Sequence, residues 1–184
     1  MELIKEIKQS KMLRNVFIAL LGTILLAVSS KIKIPFYPVP MTMQTLVVLF
    51  LGIALGWKLG VATIALYLFE GIIGLPVFSG SPEKGVGIVY FTGPTMGYLV
   101  GFLFTVYFVG VFNFNKNLFV KFLQILFSIS FIYIFGILWL GTLIGWDKNL
   151  FQLGVQPFLL AELFKILIVL VSLSKIKKLN QYLQ

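Results

Sequence analysis

Six apolar segments fill most of the sequence between Asn15 and Leu173, and that succession decides what the chain can fold into. They run over about 15–30, 42–55, 59–73, 93–111, 120–145 and 155–173, separated by short polar, glycine-rich or proline-rich stretches. Hydrocarbon offers no water to satisfy backbone N–H and C=O groups, so a membrane-embedded chain is restricted to helices or a closed barrel. Segments of this length suit helices crossing a core about 30 Å thick. Only 11% of the 184 residues are charged, against about 25% in soluble domains. The expected fold is an all-α integral membrane protein of six transmembrane helices, with no room for a separate soluble domain.

The breaks between segments carry information of their own. Pro35, Pro38 and Pro40 fall within six residues of each other, which precludes a regular helix because each fixes φ and lacks an N–H. Gly56-Trp57-Lys58 reads as a tight turn. The stretch 74–92 is long for a compact connection, yet keeps aromatic and aliphatic residues, so it reads as packed and functional. Residues 1–14 alternate charge with apolar side chains and read as an interfacial amphipathic segment. The transmembrane domain spans 15–173, and a basic tail with Lys175, Lys177 and Lys178 occupies 174–184. No A-x-A site follows the first apolar run, so it is read as a retained helix.

The formal net charge is +9. Its lysines lie between apolar segments, so the positive-inside rule explains them and nucleic acid need not be invoked. Lys5, Lys8, Lys11, Arg14, Lys58, Lys116, Lys121, Lys175, Lys177 and Lys178 fall on one side if both termini share it. That side is expected to be cytoplasmic, giving an N-in, C-in, multi-pass protein of a bacterial-type plasma membrane. Cysteine and histidine are absent. Disulfides, thiol nucleophiles, histidine metal ligands and histidine-based triads are thereby excluded. The G-x-x-x-x-G-K-[ST] phosphate loop is also missing. No enzyme activity, metal or cofactor is expected, and any ATPase must be another chain.

Glu162 and Lys165 stand three residues apart inside the last apolar segment. An ionised side chain in hydrocarbon costs about 2.5–3.5 kcal/mol on insertion scales, and i,i+3 spacing lets the two share a helix face. They form either a structural ion pair or a polar site facing a cavity. The proline-rich loop, the 74–92 loop and the start of segment six all fall on the outer side, which favours a small-molecule pocket opening outward. Gln44 and Thr45 open segment two beneath the proline-rich loop, and Gln44 offers both donor and acceptor. Glu70 suits the interface as well as the pocket. Tyr90 and Trp146 suit an aromatic belt first and ligand contact second. Gly93, Gly97 and Gly101 form a small-residue stripe read as intramolecular packing, with Pro94 in the first helical turn. Gly52, Gly56 and Gly60 repeat that spacing across the turn. Ala19, Thr23 and Ala27 form a small face on segment one that suits internal packing and partner docking equally.

Three ordered stretches, Pro38-Val39-Pro40-Met41-Thr42-Met43-Gln44-Thr45-Leu46, Gly74-Leu75-Pro76-Val77-Phe78-Ser79-Gly80 and 93–102, closely resemble the BioY family. These are the biotin-binding membrane subunits, or S components, of energy-coupling-factor (ECF) transporters. The resemblance covers essentially Asn15 to Leu173. It implies a six-helix S-component bundle that captures biotin from outside under loops after helices one and three. It also implies delivery inward on a transmembrane coupling subunit driven by two ATPases. The family's last helix carries an aspartate and a lysine three apart. Here Glu162, one methylene longer, takes the aspartate position and Lys165 is retained. Met96 replaces the first glycine of a Gly-Gly pair. On this reading Glu162 and Lys165 bind the polar head of biotin, with Gln44, Tyr90, Gly93 and Gly97 shaping the pocket. Ala19, Thr23 and Ala27 resemble the family's alanine-spaced docking face. The readings left beside it are an S component for another small vitamin, a non-transporting assembly subunit, and a proton-coupled exporter using Glu70 or Glu162.

Overall fold

The computed structural model describes residues 2–83 and 85–183, with side chains from Ser10 onward. Its main elements are α1 (Glu2–Lys31), β1 (Lys33–Ile34), β2 (Met41–Thr42), α2 (Gln44–Ile72), α3 (Met96–Val111), α4 (Leu118–Ile144), α5 (Leu150–Gly154) and α6 (Leu159–Leu183). Short 3₁₀ turns precede α3 (Gly87–Thr92) and α6 (Gln156–Phe158). The two strands pair antiparallel, Lys33 opposite Thr42 and Ile34 opposite Met41, closing the proline-rich loop at its root.

α2 is two helices. Gly56 sits at φ +71° and ψ 173°, a left-handed backbone that glycine adopts without penalty. A Cβ on Gly60 would lie 3.6 Å from the Gly52 Cα. Along one straight helix, eight residues would separate them by about 12 Å. The chain therefore reverses at Gly56, and arms 44–55 and 57–72 pack side by side. A Cβ on Gly52 would meet Val109 at 2.2 Å, so this glycine pair serves close internal packing. With the short α5 set aside, six longer helical segments result among the described residues.

Four helical stretches are long and apolar enough to cross a membrane: Ser10–Lys31, Gln44–Ile72, Leu118–Ile144 and Leu150–Leu183. Met96–Val111 is apolar but shorter. Divided at Gly56, the arms of α2 span about 18 and 24 Å, less than the roughly 30 Å of hydrocarbon.

α3 is the central packing element, lying against both α2 and α4. Small residues make this possible. A Cβ on Gly97 would fall 2.2 Å from the Phe135 carbonyl oxygen, and one on Gly101 2.5 Å from the Ile132 Cα. The glycine stripe is thus a seat for α4. Its expected first member, Gly93, precedes the helix, as does Pro94, because α3 begins at Met96.

On α1, Ala19, Gly22, Thr23, Leu26 and Ser30 turn inward while Phe17, Leu20, Leu21, Ile24 and Val28 face out. That spacing is one helical face. The small face read as suiting packing and docking equally turns inward in this structure: Ala19 is 7% and Thr23 2% exposed, and Ala27 packs against the core. The Thr23 hydroxyl donates to Glu70 Oε1 at 2.9 Å. Small side chains at 19 and 23 serve the α1–α2 contact, the internal alternative.

The terminal segments continue the first and last helices. Residues 2–14 continue α1 without a break, and Met12 and Leu13 are exposed. Met1 and the side chains of residues 2–9 lie outside the described residues. The basic tail extends α6 through Leu183, where the Leu183 carbonyl accepts from Arg14 at 3.1 Å.

Candidate functional site

Glu162 stands in the first turn of α6, entered through α5 and the turn containing Pro157. A carboxylate at a helix N-terminus is favoured by the free N–H groups there. Lys165 follows one turn later. Both are buried, at 6% and 4% exposure. Lys165 Nζ lies 2.8 Å from Glu162 Oε1. It also donates to Thr45 Oγ1 at 2.7 Å and to the Thr42 carbonyl at 2.7 Å. Three partners use all three ammonium protons. Thr45 in turn donates to Glu162 Oε1 at 2.9 Å. Oε1 thus accepts two bonds, while Glu162 Oε2 is buried with no partner among the described residues.

These groups border a small cavity with about 50 Å³ of free volume. Its walls are Val39 to Thr42 from the proline-rich loop, Gln44 and Thr45 from α2, and Ser79 and Tyr90 from the long loop. Thr95, Tyr98, Leu99 and Phe102 come from the α3 side, Ile132 and Tyr133 from α4, and Phe158 from the turn before α6. Apolar and aromatic walls with a few convergent polar atoms are what a small-molecule site requires, although such sites usually enclose about 300–1,000 Å³. A larger hollow beside β2 and α6 reaches Lys165 but not Glu162.

The long loop is held by its carbonyls. Lys31, at the end of α1, donates to the carbonyls of Pro76, Phe78 and Ser81 at 2.8–3.0 Å. Ser30 and Tyr67 both donate to the Val77 carbonyl, at 2.8 and 2.9 Å. Tyr90 donates to the Ser79 carbonyl at 2.7 Å, and burial pushes its phenol above the ordinary value, so it stays protonated. Phe78 fills the space between, stacked on Tyr90 with centroids 4.7 Å apart. This pinning aims Ser79 into the cavity, where its hydroxyl is buried without a partner among the described residues. The proline-rich loop is held by packing, with Pro38 and Val39 buried. Beyond its strand pair, it reaches the cavity wall through the edge-to-face contact of Phe36 on Phe158.

Of the residues expected at the site, Glu162, Lys165, Gln44 and Tyr90 come together. Gln44 Nε2 donates to the Tyr67 hydroxyl at 2.8 Å, tying the two arms of α2 together, and Tyr67 in turn donates to the Val77 carbonyl of the long loop. Gly93 and Gly97 are not among the lining residues; Thr95 between them is. Glu70 lies outside the cavity with Thr23, and Trp146 is 60% exposed. Sequence reasoning did not single out Ser79, Tyr98, Tyr133 or Phe158. Ser79 carried a signal, since it lies within the Gly74–Gly80 motif. Tyr98 carried the same kind of signal within the 93–102 motif, whereas Tyr133 and Phe158 lie within or beside apolar segments, where nothing distinguishes a lining ring from a core one.

The BioY family model matches residues 4–182. A probable biotin transporter BioY of Pyrococcus horikoshii is 34% identical over 152 residues, covering 83% of this chain and 89% of that one. The biotin transporter BioY of Thermotoga maritima is 32% identical over 169 residues, covering 91% and 98%. Among solved structures, the crystal structure of the S-component for biotin from an ECF-type ABC transporter superposes with a TM-score of 0.72. It is 23% identical and covers 94% of this chain and 93% of its own, so it supports the fold. A match over nearly the whole chain, joined by relatives that cover it almost completely, establishes that this protein belongs to the BioY family.

Proposed function

We propose that this protein is the biotin-binding S component of an ECF-type transporter. It captures biotin from the outer side of the cell membrane and delivers it inward with a transmembrane coupling subunit and two ATPases. It is a transport subunit and not an enzyme. The carrying observation is Glu162: a buried carboxylate lining an aromatic-walled cavity, its Oε1 satisfied and its Oε2 without a partner among the described residues. A ligand that brings N–H donors to that oxygen removes the penalty of burying it unpaired. The ureido ring of biotin carries two N–H groups and one carbonyl. In this reading Oε2 accepts a ureido N–H, and the free hydroxyl of Ser79 donates to the ureido carbonyl or accepts the second N–H. Lys165 acts through Glu162, because its three protons are already engaged. Tyr98, Tyr133 and Phe158 enclose the apolar thioether ring. The ring needs more room than the cavity has, so the proline-rich loop and Phe158 move away as biotin enters.

N-in, C-in topology with six spans is part of this proposal, supported by the lysines gathered where α1 and α6 approach each other at Arg14 and Leu183. The test is biotin uptake by cells expressing the chain with and without the coupling module, alongside thiamin and riboflavin. Selective, module-dependent biotin uptake is expected. Uptake of another vitamin instead would keep the fold and overturn the substrate.

A further inference from the structure

A second cavity, of about 310 Å³, opens at the opposite end of the bundle. Lys177 stands fifteen residues beyond Glu162 on α6, hence about 22 Å away along the helix. Gly56, Asn113, Asn115, Lys177, Asn180 and Gln181 line it, and no carboxylate does. The geometry points to a binding site for the phosphate of an anionic lipid headgroup.

Four observations carry this. First, the walls are fixed. Asn180 Nδ2 donates to the carbonyls of Ile53 and Ala54, at 3.1 and 2.9 Å, fastening α6 to the hairpin turn. Phe114, 5% exposed, anchors the loop between α3 and α4 in the core. Secondly, the free polar groups are donors. The Asn113 side-chain oxygen accepts from the Asn115 N–H, and the Asn115 side-chain oxygen accepts from Lys177. Both amide NH₂ groups and two Lys177 protons therefore remain without partners among the described residues. Thirdly, Lys58, Lys116, Lys121, Lys175 and Lys178 belong to the same end, while four of the six acidic residues, Glu70, Glu83, Asp147 and Glu162, lie toward the other, leaving Glu2 and Glu6 in the first turns of α1. Fourthly, exposed rings mark a membrane interface at this level. Trp57, beside the Gly56 turn, is 43% exposed and packs edge-to-face on Tyr107, and Phe119 and Tyr182 are more exposed still. Aromatic side chains of this kind collect at headgroup depth, where basic pockets between helices hold lipid phosphates. A cavity lined by Lys177 and by no carboxylate suits a headgroup of net negative charge better than a zwitterionic one that carries the same phosphodiester.

The site does not depend on what the Glu162 cavity binds. To test it, protein in detergent would be titrated with short-chain phosphatidylglycerol, short-chain phosphatidylcholine and inorganic phosphate, with bound lipid counted by native mass spectrometry. Phosphatidylglycerol is expected to bind at least about fivefold more tightly than phosphatidylcholine, the advantage of one lysine near the surface. Lys177→Gln should remove that preference, and Lys148→Gln at the other end should keep it. Asn115→Asp, which places an acid in the cavity, should also remove it and provides a second variant if Lys177→Gln misfolds. Equal binding of the two lipids, or equal loss in Lys177→Gln and Lys148→Gln, would overturn the site. Inorganic phosphate competing as well as the lipid would overturn the lipid as its source. Unchanged lipid binding in Lys177→Gln, with lost assembly of the transport complex, would make the cavity a protein interface and refute the proposal.

Discussion

Removing one charge from the Glu162–Lys165 pair should destabilise the protein more than removing both. The pair is 2.8 Å apart, with side chains only 4% and 7% exposed. At an effective dielectric of about 20, attraction at that distance is worth about 6 kcal/mol. Desolvating the two ions costs several kcal/mol each, so the pair gains little over an apolar replacement. A single deletion is different, because it strands one buried ion. Glu162→Gln leaves the ammonium with Thr42 and Thr45 alone, and Lys165→Met leaves a carboxylate with Thr45 alone. Each should lower unfolding free energy by about 3–5 kcal/mol. The double variant should cost less than either single one, a coupling of about 3 kcal/mol or more. Denaturant unfolding in detergent, followed by the fluorescence of Trp57, Trp139 and Trp146, reads all three values. Both single variants and the double variant should lose biotin binding. Additive costs, with the double variant as unstable as the two singles summed, would refute the claim that these side chains form one buried unit.

Other consequences are independent of that cycle. Lys31→Met removes the cation that holds three loop carbonyls; bonds to charged groups are worth about 1.5–3 kcal/mol each, so amide exchange in 76–81 should quicken at least about tenfold. Gly97→Val forces a side chain against the Phe135 carbonyl and should cost about 1–3 kcal/mol or more, seen as lost monodisperse protein on size exclusion. Thr23→Trp, at a position only 2% exposed, should impair folding and biotin binding as well as uptake; normal binding with blocked uptake would restore the docking role. Burial raises the Tyr90 phenol above its ordinary value of about 10. The sign follows: its contribution is complete below pH 10 and is lost as pH rises through the higher folded value. Thermal stability should therefore fall above pH 10, and Tyr90→Phe should flatten that part of the profile.

Much of this architecture was legible because membrane burial leaves few choices. The apolar segments map onto the helices, and Gly56 was identifiable as a turn although α2 runs almost continuously around it. Glu162 and Lys165 stood out because charge inside an apolar run is costly. Other features depended on three-dimensional neighbours. Nothing in the spacing of Ala19, Thr23 and Ala27 says which side of α1 faces the bundle; that is decided by Thr63 and Glu70 on the second arm of α2. Nor could sequence reveal that Lys165 spends its protons on Thr42, Thr45 and Glu162, leaving Glu162 Oε2 and Ser79 as the open groups. Gly97 has the right motif for the site, yet its missing side chain makes room for α4.

Calorimetric titration with biotin and with biotin methylated at its ureido nitrogens reads out whether Glu162 Oε2 accepts a ureido N–H. Biotin should bind selectively over thiamin, the doubly methylated analogue should not bind measurably, and Ser79→Ala should weaken biotin by about tenfold, the worth of one hydrogen bond. Equal affinity for biotin and the methylated analogue, in folded protein, would contradict the account.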